Sequence, residues 1–393
     1  MTSLPSGKLG AEAELFVDWL AAAGQSWWQI LPLNPPDRHG SPYTCGSAFA
    51  AWPGLLGSPR AAVPQSEIAE LRERDAYWAP AWERHAGRGA LADQVRFERE
   101  WAALRAFAAT RGVRILGDLP IYVAAHSADT RDHPELFDES EESGAPPDYF
   151  NPRGQTWRNP LYCWPAHRAE GFRWWVERFR RAFALADLTR VDHFRGFVSA
   201  WAVPRGSDSG EHGRWRRGPG AELFGTVEHE LGSLPIVVED LGRITPPVVE
   251  LRDSLGLPGM RVLQFGFTGG RANPNAPSNY PEHCVAYTGT HDHDPLAAWW
   301  QSAPEALRRR ASAALKAAGI DEPEPAWSFI RLAFSTRADL AIVQMQDVLG
   351  LGREARLNTP GTTRGNWRWR LEPGQLTDRL AERLREATVS SGR

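Results

Sequence analysis

Apolar residues along this chain gather into seven short runs of strand length. Each is followed by polar, glycine-rich residues and then by a stretch with helical spacing. The runs are Trp27 to Leu33, Val113 to Val123, Leu188 to Phe194, Pro235 to Leu241, Met260 to Phe267, Cys284 to Thr290 and Leu340 to Met345. Near-continuous apolar strands alternating with helices predict a parallel sheet buried on both faces, and a series of this length predicts an α/β protein of the (β/α)8 TIM-barrel type. An open doubly wound sheet is the rival arrangement. Between the runs, Ala11 to Ala23 has amphipathic spacing and stops at Gly24, and Leu91 to Thr110 predicts a long helix ending before Arg111-Gly112. The gaps after Leu33, Val123 and Phe197 exceed what a βα connection requires and are rich in Pro, Gly and Trp, so they are expected to be insertions that shape a cleft.

Charge and composition narrow the partners. A formal net charge of -3, with no run of like charge, offers no footprint for nucleic acid or an anionic membrane and suits a neutral substrate. Cys45, Cys163 and Cys284 are widely spaced, which predicts neither a disulfide framework nor a thiolate zinc site and favours a reducing, cytoplasmic compartment. Glu12, Glu14 and Asp18 interrupt the first apolar stretch, and no segment has the length of a membrane span, so neither a signal peptide nor a membrane anchor is expected. The 18 tryptophans include several in loop-like segments, where an indole can cover a sugar ring, although most are expected in the core.

The candidate chemistry lies where the apolar runs end. In a barrel, functional groups gather at the C-terminal ends of the strands, and here the runs close in acids: Asp118, Asp192, Glu239, and Asp292 within His291-Asp292-His293-Asp294. Asp192 and Glu239 end successive runs. Neighbouring parallel strands lie about 4.8 Å apart, which suits the carboxyl separation of about 5 to 5.5 Å used by retaining glycosidases. Arg190 precedes Asp192 by two positions and shares its strand face, favouring an ionised Asp192 and leaving Glu239 as the protonated partner. Asp292 would complete the set as a third carboxylate, with His291 donating to the same sugar. Two other readings stay open: strand-end acids as helix caps and ion pairs, and a metal site with His291 and His293 on one strand face, supplemented by His193 or His126.

The stretches around these acids resemble the amylomaltase, or 4-α-glucanotransferase, family. The likeness runs through Trp28-Gln29-Ile30-Leu31-Pro32-Leu33, Ser41-Pro42-Tyr43, Gly117-Asp118-Leu119-Pro120-Ile121-Tyr122-Val123 and Gly154-Gln155-Thr156-Trp157. It continues through Arg190-Val191-Asp192-His193-Phe194-Arg195-Gly196, Glu239-Asp240-Leu241-Gly242, Gly289-Thr290-His291-Asp292, Gln346-Asp347-Val348-Leu349-Gly350 and Gly365-Asn366-Trp367. The resemblance implies a barrel enzyme that cleaves an α-1,4-glucan, retains the glucosyl chain on Asp192, and passes it to another sugar, with Glu239 as acid/base and Asp292 as the third carboxylate. It further implies that Arg190, His291, Tyr43 and Asp118 bind sugar at the cleavage point, and that Gln155 and Trp157 lie on a loop covering the cleft. No metal or organic cofactor is implied, and the expected partners are maltooligosaccharides or α-glucans. A retaining hydrolase and a non-catalytic glucan-binding homologue are the alternatives.

This chain departs from the family pattern in four ways. It opens at Thr2-Ser3-Leu4-Pro5 without the usual first strand, so the barrel is expected to be open or closed by a substitute element. Pro59 to Ala90 is short for the family's helical insertion, Pro35 to Gly40 replaces a tyrosine-containing loop, and His293 stands where asparagine is usual. The expected organisation is one catalytic barrel domain over 1–393, a shortened helical insertion over 51–110 and a cleft-forming insertion over 124–187.

Overall fold

The computed structural model describes residues 1–147 and 151–393. Seven strands, each overlapping one of the seven apolar runs, pair in parallel: β1 (Trp27–Gln29), β2 (Arg114–Leu119), β5 (Leu188–Val191), β8 (Ile236–Val238), β9 (Gly259–Val262), β10 (Cys284–Tyr287) and β11 (Leu340–Ile342), in that order around the sheet. The result is a TIM-type barrel with a seam, since among the described residues β1 pairs only with β2 and β11 only with β10. Burial follows from this. Every residue of β8, β9 and β10 is buried, whereas all three residues of β11 and both ends of β1 stay half-buried, because each lacks a neighbour on one side.

Helices α1 (Ala11–Ala22), α2 (Gln65–Arg74), α3 (Ala79–Ala86) and α4 (Ala90–Thr110) lie in the first half of the chain. α1 and α4 match the two helical spans expected from the sequence to within a residue. α1 buries Phe16, Val17, Trp19 and Leu20, and α4 buries Phe97, Trp101 and Leu104 in the same apolar cluster as Trp28 and Ile115. Burial of side chains of this size stabilises the fold by about 1.5 to 3 kcal/mol each. The N-terminal segment is tied to the C-terminal part of the chain, with the Leu371 N–H donating to the Ser3 carbonyl at 2.7 Å and Trp19 Nε1 donating to the Thr377 carbonyl at 3.1 Å. No helix among the described residues is long and apolar enough to cross a membrane.

Beside the barrel stands an antiparallel sheet of β3 (Phe137–Ala145), β4 (Gln155–Tyr162), β6 (Ser199–Pro204) and β7 (Arg214–Arg217), in the order β4-β3-β6-β7. Gln155 and Trp157 therefore sit on a strand rather than on the covering loop that the family resemblance implied. The sheet's apolar side joins a second cluster with Trp174, Trp175, Phe179, Phe197 and Phe224, all completely or almost completely buried. Arg178 threads this cluster. Its guanidinium stacks over Trp174 and Trp175, each about 5.0 Å away, and donates to the carbonyls of Pro120 and Ile121, fixing the backbone just beyond β2. Such a buried cation is tolerated because carbonyls and indole faces take up its charge.

Candidate active site

Four strand ends place their acids at one mouth of the barrel. Asp118 lies within β2, directly beside Arg190 of β5 in the sheet register, while Asp192 and Glu239 follow β5 and β8 by one residue. Arg190 binds both of the first two acids, with Nη1 2.8 Å from Asp118 Oδ1 and Nη2 2.9 Å from Asp192 Oδ1. The i, i+2 relation in the sequence thus puts Arg190 and Asp192 on one face as expected. Tyr43 approaches from the loop after β1, its hydroxyl donating to Asp118 Oδ2 at 2.5 Å. Exposure rises outward, from an Asp118 side chain at 0% to Asp192 at 22% and Asp292 at 40%, so the arrangement runs from barrel floor to cleft.

Glu239 and Asp240 show how strand alternation separates adjacent acids. Glu239 accepts backbone N–H groups from His193 and Leu241, both at 2.8 Å, so its carboxyl is fixed between the ends of β5 and β8. Asp240 points the other way and is buried, accepting from the Met260 N–H at 2.7 Å and from Arg252 and Arg261. The hydrogen bond to Glu239 comes at a conformational cost, because His193 holds a left-handed φ of 47° that β-carbon-bearing residues seldom adopt.

The two central carboxyls are both shifted by burial and by their shared cation. Burial pushes Glu239 up to about 7, and of its charged neighbours Arg190 lowers it while Asp192 raises it. Burial also raises Asp192, to about 6, with the Arg190 guanidinium opposing. Arg190 therefore does not bring Asp192 below its ordinary range: burial outweighs the guanidinium at both carboxyls, and the two titrate as an interacting pair. Asp292 behaves differently. Partial burial raises it, but His291, the Asn358 hydrogen bond, His293 and Arg190 together outweigh that and leave it below the usual carboxylate range.

The far side of the mouth is made of loops. β10 ends at Tyr287, so His291 to Asp294 form a turn, not a strand, and the expected shared face for His291 and His293 does not exist. His291 stacks on Tyr43 with ring centroids 4.8 Å apart and has Nε2 3.4 Å from Asp292 Oδ1. His293 turns away, bonds Thr290 through Nδ1 and packs edge-on to Phe265. Asn358 Nδ2 donates to Asp292 Oδ1 at 2.5 Å, Arg356 donates to the Asp292 carbonyl, and Arg353 and Arg356 both pair with Asp294. Trp367, held at a left-handed φ of 62°, brings its ring to 5.8 Å from Tyr43 and 5.6 Å from His291.

Of the residues singled out in the sequence, Asp118, Arg190, Asp192, Glu239, Tyr43, His291 and Asp292 thus converge on one cleft. Trp157 reaches its edge, meeting His193 edge-to-face at 4.9 Å. Among the described residues Gln155 meets the cleft through that indole, its Oε1 accepting from Trp157 Nε1 at 3.1 Å. Asn358 and Trp367 belong to the site without having been assigned a place in it. The glycine-bounded stretch Pro360 to Trp367 was the available signal, since such turns between polar residues commonly carry binding groups.

Fold and site together define a class, a barrel enzyme with a polar, acid-lined cleft at the C-terminal ends of its parallel strands. The sequence pattern of the family described as 4-alpha-glucanotransferase matches residues 1–77 and 71–377. The 4-alpha-glucanotransferase of Thermus thermophilus is 37% identical over an alignment of 486 positions that covers 100% of this chain and 97% of that protein. The Synechocystis enzyme of the same name is 38% identical, covering 100% and 96%. The amylomaltase of Streptococcus agalactiae, solved with acarbose, superposes with a TM-score of 0.90 at 28% identity, over 100% of this chain and 98% of that one. The chain belongs to the 4-alpha-glucanotransferase family, whose members are enzymes acting on α-glucans. The alignments are longer than the 393 residues of this chain, and the two matched segments overlap at 71–77, as expected if internal positions are missing around α2 and α3.

Proposed function

We propose that this enzyme transfers α-1,4-glucan segments between maltooligosaccharides by a retaining double displacement. Asp192 attacks the anomeric carbon and forms a glycosyl ester. The bond to the departing sugar breaks as Glu239 protonates its oxygen. The 4-hydroxyl of a second sugar then enters, gives its proton to Glu239 and attacks the same carbon, releasing Asp192. Two inversions restore the original α configuration, and no cofactor enters either step. Asp292, with His291 and Asn358 beside it, holds the hydroxyls of the reacting sugar and stabilises the positive charge that develops on its ring. Tyr43 and Trp367 supply the ring faces against which that sugar packs, and Arg190 and Asp118 complete its floor.

One observation carries this reading: neighbouring strands present two carboxyls at the same level, one tied to Arg190, the other fixed by two backbone N–H groups, and both raised by burial above the usual carboxylate range. A relative of the same fold binds acarbose, an observation that favours a sugar occupant for the cleft. Incubation with maltotriose is expected to give glucose and a ladder of longer maltooligosaccharides. Glucose and maltose alone would identify water as the acceptor and make the enzyme a hydrolase. The covalent step is tested separately by intact-mass measurement of Glu239→Gln with an activated α-glucosyl donor, which should show one added glucosyl unit that Asp192→Asn does not acquire.

A further inference from the structure

We infer that Asp347, which never reaches the cleft, is a positioning residue that holds the His291–Asp292 turn in place. Its side chain is completely buried, and each of its oxygens accepts one hydrogen bond. Oδ2 takes the Thr288 hydroxyl at 2.7 Å and Oδ1 takes the Leu296 backbone N–H at 2.6 Å. Thr288 directly follows β10, and Leu296 opens the helix Leu296–Ser302. The two bonds therefore clamp both ends of one segment, and that segment carries His291 and Asp292. Thr288 is held a second time, since its hydroxyl accepts from the Gln344 N–H at 3.3 Å and its own N–H donates to the Ile342 carbonyl at 3.3 Å. The clamp thus ties the turn to the C-terminal end of β11, the strand beside the seam.

The chemistry of the position argues against a purely packing role. Among the described residues no Arg, Lys or His forms an ion pair with Asp347, and burial raises its carboxyl to about 7 despite the two hydrogen bonds. An unpaired buried acid costs stability, whereas an apolar residue of similar volume would not. What the acid provides is two acceptors in a fixed fork, one for each end of the turn. From outside, Asn358 and Arg356 hold the same turn through the Asp292 side chain and carbonyl, so Asp292 is fixed from two directions.

This inference rests on the proposed role of Asp292, and its test separates the two. Asp347→Ala, Asp347→Asn, Thr288→Val and Asp292→Asn are compared on maltotriose, with kcat expressed per folded molecule from circular dichroism. Small displacements of a reacting group cost about 100-fold in rate, so Asp347→Ala should lose about that much in kcat with KM within about threefold of the parent. Asp347→Asn keeps an acceptor for Leu296 and should regain about tenfold of the loss; Thr288→Val, which cuts one tie at constant volume, should fall by about tenfold. A folded Asp347→Ala enzyme with kcat within threefold of the parent overturns the inference. If that variant does not fold, Thr288→Val decides, and parental kcat there overturns it equally. Loss in Asp347→Ala beside full activity in Asp292→Asn would instead remove Asp292 from the mechanism, and with it the role assigned to the clamp.

Discussion

The two sides of the cleft are built by different means. On one side Asp118, Arg190, Asp192 and Glu239 stand on or next to parallel strands whose backbone ladders fix them, and a single guanidinium joins two of the acids. On the other, Tyr43, His291, Asp292, Asn358 and Trp367 come from loops and are fixed by side-chain ties and ring contacts. The strand side makes its electrostatics part of the fold, because Arg190 offsets two acids in the barrel interior. The loop side sets its geometry through side-chain ties, of which those to the Asp292 carboxylate lie near solvent and contribute little to stability, while the Asp347 bonds to Thr288 and Leu296 are buried.

The largest effect expected from breaking either side is the loss of the displacement itself. Asp192→Asn removes the attacking oxygen and should lower kcat by at least about 10⁴-fold, with Glu239→Gln close to it on natural substrates. Retention of more than a hundredth of parental kcat in Asp192→Asn, measured by glucose release from maltotriose, would dismiss it as the nucleophile.

The next pair of variants tests the contrast directly. Arg190→Met leaves the buried Asp118 and the partly buried Asp192 without their shared cation and should destabilise the fold by about 3 to 5 kcal/mol, seen as a lower midpoint in urea or heat. Asn358→Ala removes one charge-assisted hydrogen bond from Asp292 and should cost about 10- to 100-fold in kcat while the unfolding midpoint stays near that of the parent. If Asn358→Ala lowered stability as much as Arg190→Met, the two sides would not differ in kind.

The pH profile should report the strand side alone. Turnover requires ionised Asp192 and protonated Glu239, so kcat/KM is expected to rise as pH passes about 6 and to fall as it passes about 7. Beyond each limb the rate should change by about tenfold per pH unit, and both limbs belong to the interacting pair. Asp292 lies below the ordinary carboxylate range and contributes no limb there. Asn358→Ala should consequently lower the whole curve without moving either limb, and a limb displaced by a full unit would tie Asp292 into the titration.

The same division decides what could be read from the sequence. The apolar runs mark all seven barrel strands, and the acids closing two successive runs are legible because strand periodicity carries over one residue beyond the ladder: Asp192 and Glu239 sit at that position. The loop side left no such periodicity. His291 and His293 were assigned to a common strand face that a turn replaces, and Gln155 and Trp157 were assigned to a loop although they form part of β4. Asn358 and Asp347 meet the His291–Asp292 turn and its flank across long separations in the chain, 66 positions from Asn358 to Asp292 and 51 from Asp347 to Leu296. No local pattern encodes such ties, because what selects these residues is a donor or acceptor distant in the chain that they satisfy.

The smallest effect concerns the antiparallel sheet, which borders the cleft without belonging to either side. Gln155 bonds the Trp157 indole, and Trp157 meets His193, whose N–H serves Glu239. Gln155→Ala removes one partly exposed hydrogen bond, worth about 0.5 to 1.5 kcal/mol, from a ring that is also held by Tyr122. KM for maltotriose should rise by about two- to tenfold as the indole loosens, with kcat falling by no more than about twofold, because the His193 backbone is fixed by its own turn. Initial-rate measurements across a substrate series separate the two constants. A fall in kcat beyond tenfold would mean that the indole sets the His193 conformation, and the sheet would then have to be counted with the strand side of the cleft.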